Sequence, residues 1–197
     1  MKERPILFSG PMVQAILDGR KTMTRRVCKY QPSVSVRKAG SMWGIKGGDA
    51  LWHFGHKIVS CPYGQPGDRL WVRETFGVCT FCGKVGAYRA TPTGECGDAC
   101  WACNRTIEKW KPPIFMPRWA SRITLEITAV RVERLKDITV EDAQAEGVTP
   151  LGVEGDGRRW RAAFRELWDS LNLKRGYGWD ANPWVWVLSF KRVKGGE

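Results

Sequence analysis

Four cysteines carry the plainest chemical signal in this chain: Cys79-x-x-Cys82 and Cys100-x-x-Cys103, with 17 residues between the pairs. Each CxxC makes a tight turn, and two such turns offer four thiolates to a tetrahedral ion at about 2.3 Å. The spacing lies within the range of structural zinc sites. Four thiolates leave no open coordination position, so a zinc held this way stabilises the chain and performs no reaction. Cys96 is either a spare or a substitute for Cys100, and redox disulfides or unpaired thiols are the alternative reading. Cys28 and Cys61 lack neighbours at ligand spacing and are expected to be small apolar residues. His53 and His56 form an HxxH pair without acids or cysteines nearby, which assigns them a structural role.

A second cluster runs Arg20-Lys21-Thr22-Met23-Thr24-Arg25-Arg26, with two hydroxyls set among cations. Lys, Arg and Thr side chains in this order can grip phosphates without any catalysis. They can also do acyl chemistry, because a threonine hydroxyl becomes a nucleophile when a base adjoins it. Lysine is such a base only when neutral, and burial or neighbouring cations favour that form. Arg20, Arg25 and Arg26 would depress Lys21 if they surround it in space. Thr22 and Thr24 point alike in an extended loop, so spacing does not separate them.

The chain has 32 Lys and Arg against 20 Asp and Glu in 197 residues, a net charge of +12. Such a protein repels itself unless an anionic partner or solvent screens it, and nucleic acid is the commonest such partner. No apolar window of about 18 residues exists to cross a membrane. Residues 1–7 carry charge with no apolar core behind it, so no signal peptide is expected. Seven cysteines, five of them within 79–103, suit a metal site in a reducing compartment better than a disulfide framework. The expected location is the cytoplasm.

The elements that must position these groups follow from periodicity. Pro5 to Ser9 reads as a strand. Pro11 sits in a first helical turn, Met12, Val13, Ile16 and Leu17 recur at helical spacing, and Gly19 ends the helix. The stretch Arg20 to Lys38 holds seven basic residues and no acid, which excludes it from the core. A hairpin is expected around Leu51 to Val59, and Gly67-Asp68 turns into a strand at Arg69 to Phe76. Ile123, Leu125 and Ile127 alternate in one phase and Val130 and Val132 in the other, so a β-bulge near Thr128–Ala129 is predicted. Thr139 to Asp142 has capping-box spacing for a short helix ending at Gly147. A glycine-rich loop covers 151–158. Trp160, Phe164, Leu167, Trp168 and Leu171 then mark the buried face of a longer helix. Pro183 to Val193 is a strand apolar on both faces, hence central or closing. Trp101 and Trp110, among Arg105, Lys109 and Lys111, are either packing groups or a base-stacking surface.

Three stretches together resemble the ASCH domain, a relative of the PUA fold. They are Ile16 to Arg26 (ILDGRKTMTRR), similar to the family's helix and G-x-K-T-x-T-x-R-like loop; Gly67 to Val72 (GDRLWV); and Ile138 to Glu146 (ITVEDAQAE). The tryptophan-rich WVRETF and MPRWASRITL stretches are similar to the phage and prophage branch. The resemblance implies an α+β, PUA-like curved β-barrel with flanking helices, formed by 1–77 and 105–197; the cysteine-rich 78–104 lies outside it and reads, from its own spacing, as an inserted four-cysteine zinc-knuckle segment. Some bacterial members deacetylate N(4)-acetylcytidine with a Lys, a Thr and a Glu, which fall here on Lys21, Thr24 and Glu146. Others are associated with RNA binding or RNA cleavage. This chain is longer than the minimal enzymes and carries Arg25 where a neutral residue is usual.

The resulting expectation is an amidohydrolase acting on an acylated pyrimidine nucleoside or a base within RNA. Thr24 would be nucleophile, Lys21 its base and Glu146 the proton handler, with Arg20, Thr22, Arg25 and Arg26 contacting substrate or nucleic acid. A non-catalytic RNA or modified-base reader is the alternative, and a ribonuclease the third. Structural zinc is expected on Cys79, Cys82, Cys100 and Cys103. Protein purified without added metal should contain about one zinc per chain by elemental analysis, and Cys79→Ser should abolish it.

Overall fold

The computed structural model describes residues 1–31, 42–46, 49–54, 57–83, 85–90, 107, 109–150 and 157–193, with backbone alone for 42–46, 49–54, 57–58, 86 and 157. His56, Cys96, Cys100, Trp101, Cys103, Arg105 and the loop at 151–156 lie outside the described residues. The chain order is β1 (Glu3–Leu7), α1 (Gly10–Leu17), β2 (Met23–Val27), β3 (Met42–Lys46), β4 (Asp49–Phe54), β5 (Lys57–Ser60), β6 (Arg69–Arg73), β7 (Phe76–Val78), β8 (Val85–Tyr88), β9 (Trp110–Lys111), β10 (Thr124–Arg134), α2 (Val140–Ala145), α3 (Gly157–Asn172) and β11 (Trp184–Val193).

The principal sheet has five strands in the order β1-β6-β10-β11-β2. Only β1 and β6 run parallel; the other pairs are antiparallel. The fold is therefore mixed α+β. The expected barrel is corrected in one respect: the described residues show a sheet with two edges, β1 and β2, and no closed ring. A side chain reaches across this gap. Arg26 Nη2 on β2 donates to the Leu7 carbonyl on β1 at 2.6 Å.

Two cores flank the sheet. One gathers Ile6, Val13, Ile16, Leu70, Leu125, Ile127, Trp186 and Leu188; the other joins Met23, Leu135, Val185 and Val187 to Phe164 and Trp168 of α3. Strand β11 serves both, burying every residue from Trp184 to Leu188, as a central strand must. Leu171, expected on the buried face of α3, is 47% exposed, because at the last turn of the helix it faces a cavity beside β2 and not a packed core. The register of β10 against β11 shifts between Ile127 and Ala129, where the phase change in the sequence predicted a bulge. That shift turns Arg131 and Glu133 away from the core face that Leu125 and Ile127 occupy.

Local motifs have local structural reasons. Asp68 is buried and accepts from the Lys2 backbone N–H at 2.7 Å and Arg4 Nη1 at 2.9 Å, tying β1 to the head of β6. Glu74 takes both Nε and Nη2 of Arg122, at 2.9 and 3.0 Å. A paired fork of this kind satisfies an otherwise buried carboxylate. Strand β6 stops at Arg73, and β7 starts a second sheet of order β8-β7-β9. That sheet crosses the boundary expected at 78, since β7 begins at Phe76 and pairs with Trp110–Lys111. The expected hairpin is present as β4 against β5.

Replacing Leu188, fully buried between β10 and β2, by alanine leaves a cavity. Urea unfolding of Leu188→Ala should show a loss of about 2–5 kcal/mol with an unchanged slope.

Candidate functional site

Site geometry begins at the turn after α1. Asp18 caps the helix and Gly19 takes φ 76°, which only glycine adopts cheaply. The chain then doubles back, so that Lys21 N–H donates to the Ala15 carbonyl at 2.9 Å. On the far side, Thr139 caps α2 by accepting from the Asp142 N–H at 3.1 Å, and Glu146 is the C-terminal cap. Thr22 N–H donates to the Ala145 carbonyl at 2.9 Å, stitching the two ends together. Gly147 makes the approach possible. A Cβ there would stand 2.8 Å from the Lys21 Cβ, and its φ is 77°.

Lys21 and Glu146, 125 positions apart, meet inside the protein. Lys21 is 2% and Glu146 4% exposed. Lys21 Nζ donates to Glu146 Oε2 at 2.7 Å and to the carbonyls of Glu146 and Met23, each at 2.8 Å. All three ammonium donors are thereby satisfied. Burial pushes the Lys21 pKa below the usual lysine range; Glu146 opposes this, while Arg26 and Arg25 add to it.

The expectation that residues 20–38 stay out of the core is corrected here: Lys21, Thr24 and Arg25 are all buried. The reason is acid supplied from elsewhere. Arg25 Nη2 contacts Asp142 Oδ2 at 2.5 Å and Glu133 Oε2 at 3.2 Å, and its Nη1 lies 3.5 Å from Glu146 Oε1. Arg131 reaches Asp142 at 2.6 Å and also pairs with Glu133. Burial pushes the Asp142 carboxyl up, but the hydrogen bonds from Arg131 and Arg25 outweigh it and hold the group below its usual range. Lys21, Arg25 and Arg131 thus balance Glu133, Asp142 and Glu146.

Thr24 follows on β2, opposite Leu188. Because β2 is an edge strand, a cavity of about 250 Å³ runs beside it. Thr24, Arg26 and Glu146 line this cavity, together with Tyr63, Asn172 and Arg175, three residues the sequence patterns did not single out. They lie on loops and at a helix end with no motif around them. Glu146 also lines a second, larger cavity of about 580 Å³, bounded by Met12, Val148, Ala163 and Leu167. Both cavities share Met12, Glu146 and Leu167. Among the described residues, no hydrogen bond engages Glu146 Oε1 or the Thr24 hydroxyl.

The remaining residues of the basic loop divide by position. Arg20 is exposed, pairs with Asp18 at 2.9 Å and borders the larger cavity. Thr22 is exposed and Thr24 buried, a distinction that an extended-loop argument missed because β2 starts between them, at Met23. Arg25 lines the smaller cavity but spends its guanidinium on carboxylates. Arg26 is half-buried above Phe8, 5.1 Å from the ring centroid.

Of the four proposed metal ligands, Cys79 is buried and Cys82 half-buried, in a turn closed by Gly83 N–H to the Cys79 carbonyl at 2.9 Å with Gly83 at φ 68°. Among the described residues no group of three or more His, Cys, Asp or Glu comes together. Cys28 and Cys61 sit in the main core, and burial pushes the Cys61 thiol up to about 11. Only the backbone of His53 is described, in β4.

Removing one member of a buried ion pair strands the other. Lys21→Met should cost about 3–5 kcal/mol in chemical denaturation, and adding Glu146→Gln should restore part of it. Equal, additive losses for the two changes would contradict the pairing.

No protein-family model matches this chain, and no curated protein does. Among solved structures, the chain is similar to the crystal structure of an ASCH domain from Lactobacillus crispatus JV V101, at 15% identity and a TM-score of 0.40, covering 97% of this chain and 79% of that one.

Proposed function

We propose that this chain is an ASCH-type hydrolase that removes an acyl group from a modified pyrimidine such as N(4)-acetylcytidine. The observation that carries the reading is the buried Lys21–Glu146 pair at 2.7 Å, whose glutamate lines the same cavity as Thr24. In a low-dielectric interior a proton shared by such a pair moves at little cost, because both the charged and the neutral arrangement carry zero net charge. Lys21 passes one proton to Glu146 and becomes an amine. The amine then takes the Thr24 hydroxyl proton as Oγ1 bonds the acyl carbon. Protonated Glu146 gives its proton to the departing amino nitrogen as the C–N bond breaks. Water then cleaves the acyl-threonine ester and releases the acid. Arg25, held by three carboxylates, orients Glu146 and adds positive field without touching substrate.

A second reading, a modified-base or RNA reader, has its own support: the three donors of Lys21 are saturated, as in a purely structural ion pair. The net charge of +12 fits a nucleic-acid or nucleotide partner under either reading. We further propose that Cys79 and Cys82 join Cys100 and Cys103 on a structural zinc, a fit supported by the closed Cys79–Gly83 turn. Such a site belongs in a reducing compartment such as the cytoplasm.

Incubating the protein with N(4)-acetylcytidine and following cytidine and acetate by chromatography tests the enzyme reading. Thr24→Ala should lower turnover at least about 100-fold, with Thr24→Ser retaining part of it. Binding without any turnover by the native chain would establish the reader instead, and undiminished turnover by Thr24→Ala would remove Thr24 from the mechanism.

A further inference from the structure

Six buried or half-buried charges around α2 cancel, but two arginines in the smaller cavity do not take part. Arg26 and Arg175 line it together with the Tyr63 side chain. Among the described residues neither arginine forms an ion pair with a carboxylate, whereas Arg4, Arg25, Arg118, Arg122, Arg131 and Arg165 all do. Arg26 contacts the Leu7 carbonyl and leaves Nε buried without a hydrogen bond. Among the described residues Arg175 makes one long contact, 3.5 Å, to the Asn172 side chain. Burial pushes the Arg26 guanidinium below its usual range; Tyr63 and Glu146 oppose this, and the charge on Arg175 adds to it. A half-buried cation such as Arg26, with no carboxylate partner among the described residues, is costly unless a ligand supplies the missing anion, and exposed Arg175 turns a second guanidinium to the same cavity.

We infer that Arg26, Arg175 and Tyr63 form a phosphate subsite, so that the ligand of this cavity is a nucleotide or an RNA phosphodiester and not a bare nucleoside. Two guanidinium forks match phosphate oxygens, and a phenolic O–H supplies one more donor. A carboxylate ligand would meet the same cations, but phosphate offers more oxygens to two guanidinium forks, and Thr24 and Asn172 add the neutral groups that a sugar or base requires. Tyr63 precedes Gly64 in a loop tied to Cys61, and Arg175 closes the single helical turn after α3, so residues from three distant segments converge on one anion. The inference deepens the proposed function by naming the phosphate, and rests on that reading only in placing the base toward Thr24.

Calorimetry on the full chain provides the test, with cytidine, cytidine 5′-monophosphate and a short single-stranded RNA as ligands. The native protein should bind at least one phosphate-bearing ligand about tenfold or more tighter than cytidine. Gain with the mononucleotide identifies a free nucleotide as the source, and gain with the oligomer alone identifies an RNA backbone. Arg175→Ala, at an exposed position, should abolish most of that preference and reduce the salt dependence by about one phosphate contact. Arg26→Gln should act likewise, and Lys191→Ala, which removes an exposed charge paired with Glu126, should not. Equal binding of all three ligands, or a preference that survives Arg175→Ala, overturns the subsite. Thr24→Ala separates the two proposals: it should stop turnover and keep the phosphate preference.

Discussion

A lysine ammonium and a glutamate carboxylate, both almost fully removed from water, hold the end of one helix against the turn that follows another. Burying two ions costs several kcal/mol each, and only mutual contact with complete hydrogen bonding offsets it. Lys21 meets that condition with three acceptors, two of them backbone carbonyls that would themselves be short of donors. The pair therefore acts as a latch. It sets the distance between α1 and α2, fixes the start of β2, and leaves one Glu146 oxygen on the cavity wall.

The other charges extend the same logic. Arg25 could not lie inward without Asp142 of α2 and Glu133 of β10, and Glu133 faces it because β10 changes phase at its bulge. One extra residue in a strand thus decides which side of the sheet carries the ion network. Gly147 contributes in a different way, through what it lacks: any side chain would collide with Lys21. The site depends on a helix cap, a bulge and a glycine, each of which is ordinary by itself.

Much of the architecture was legible from periodicity. The bulge near Thr128–Ala129, the cap at Thr139, the amphipathic face of α3 and the double-sided burial of β11 each follow from residue spacing, since hydrophobic faces must find a core. The pairing of Glu146 with Lys21 was reachable only through family resemblance. Periodicity failed where burial ran against residue type. A run of seven cations reads as surface, and nothing nearby in the chain reveals that acids more than a hundred positions away will neutralise two of its members, Lys21 and Arg25.

The amino-acid order alone determined the net charge, the two CxxC motifs, the capping residues and the strand phases, because these are properties of composition and of neighbours within a few positions. Tertiary structure decided which cations were buried and which were left without a counter-charge. It also buried Thr24 at the cavity beside β2 while leaving Thr22 exposed, and it brought Tyr63 and Arg175 to the same cavity. Electrostatic energy depends on distance through space and on access to water, and neither quantity is a function of position along the chain.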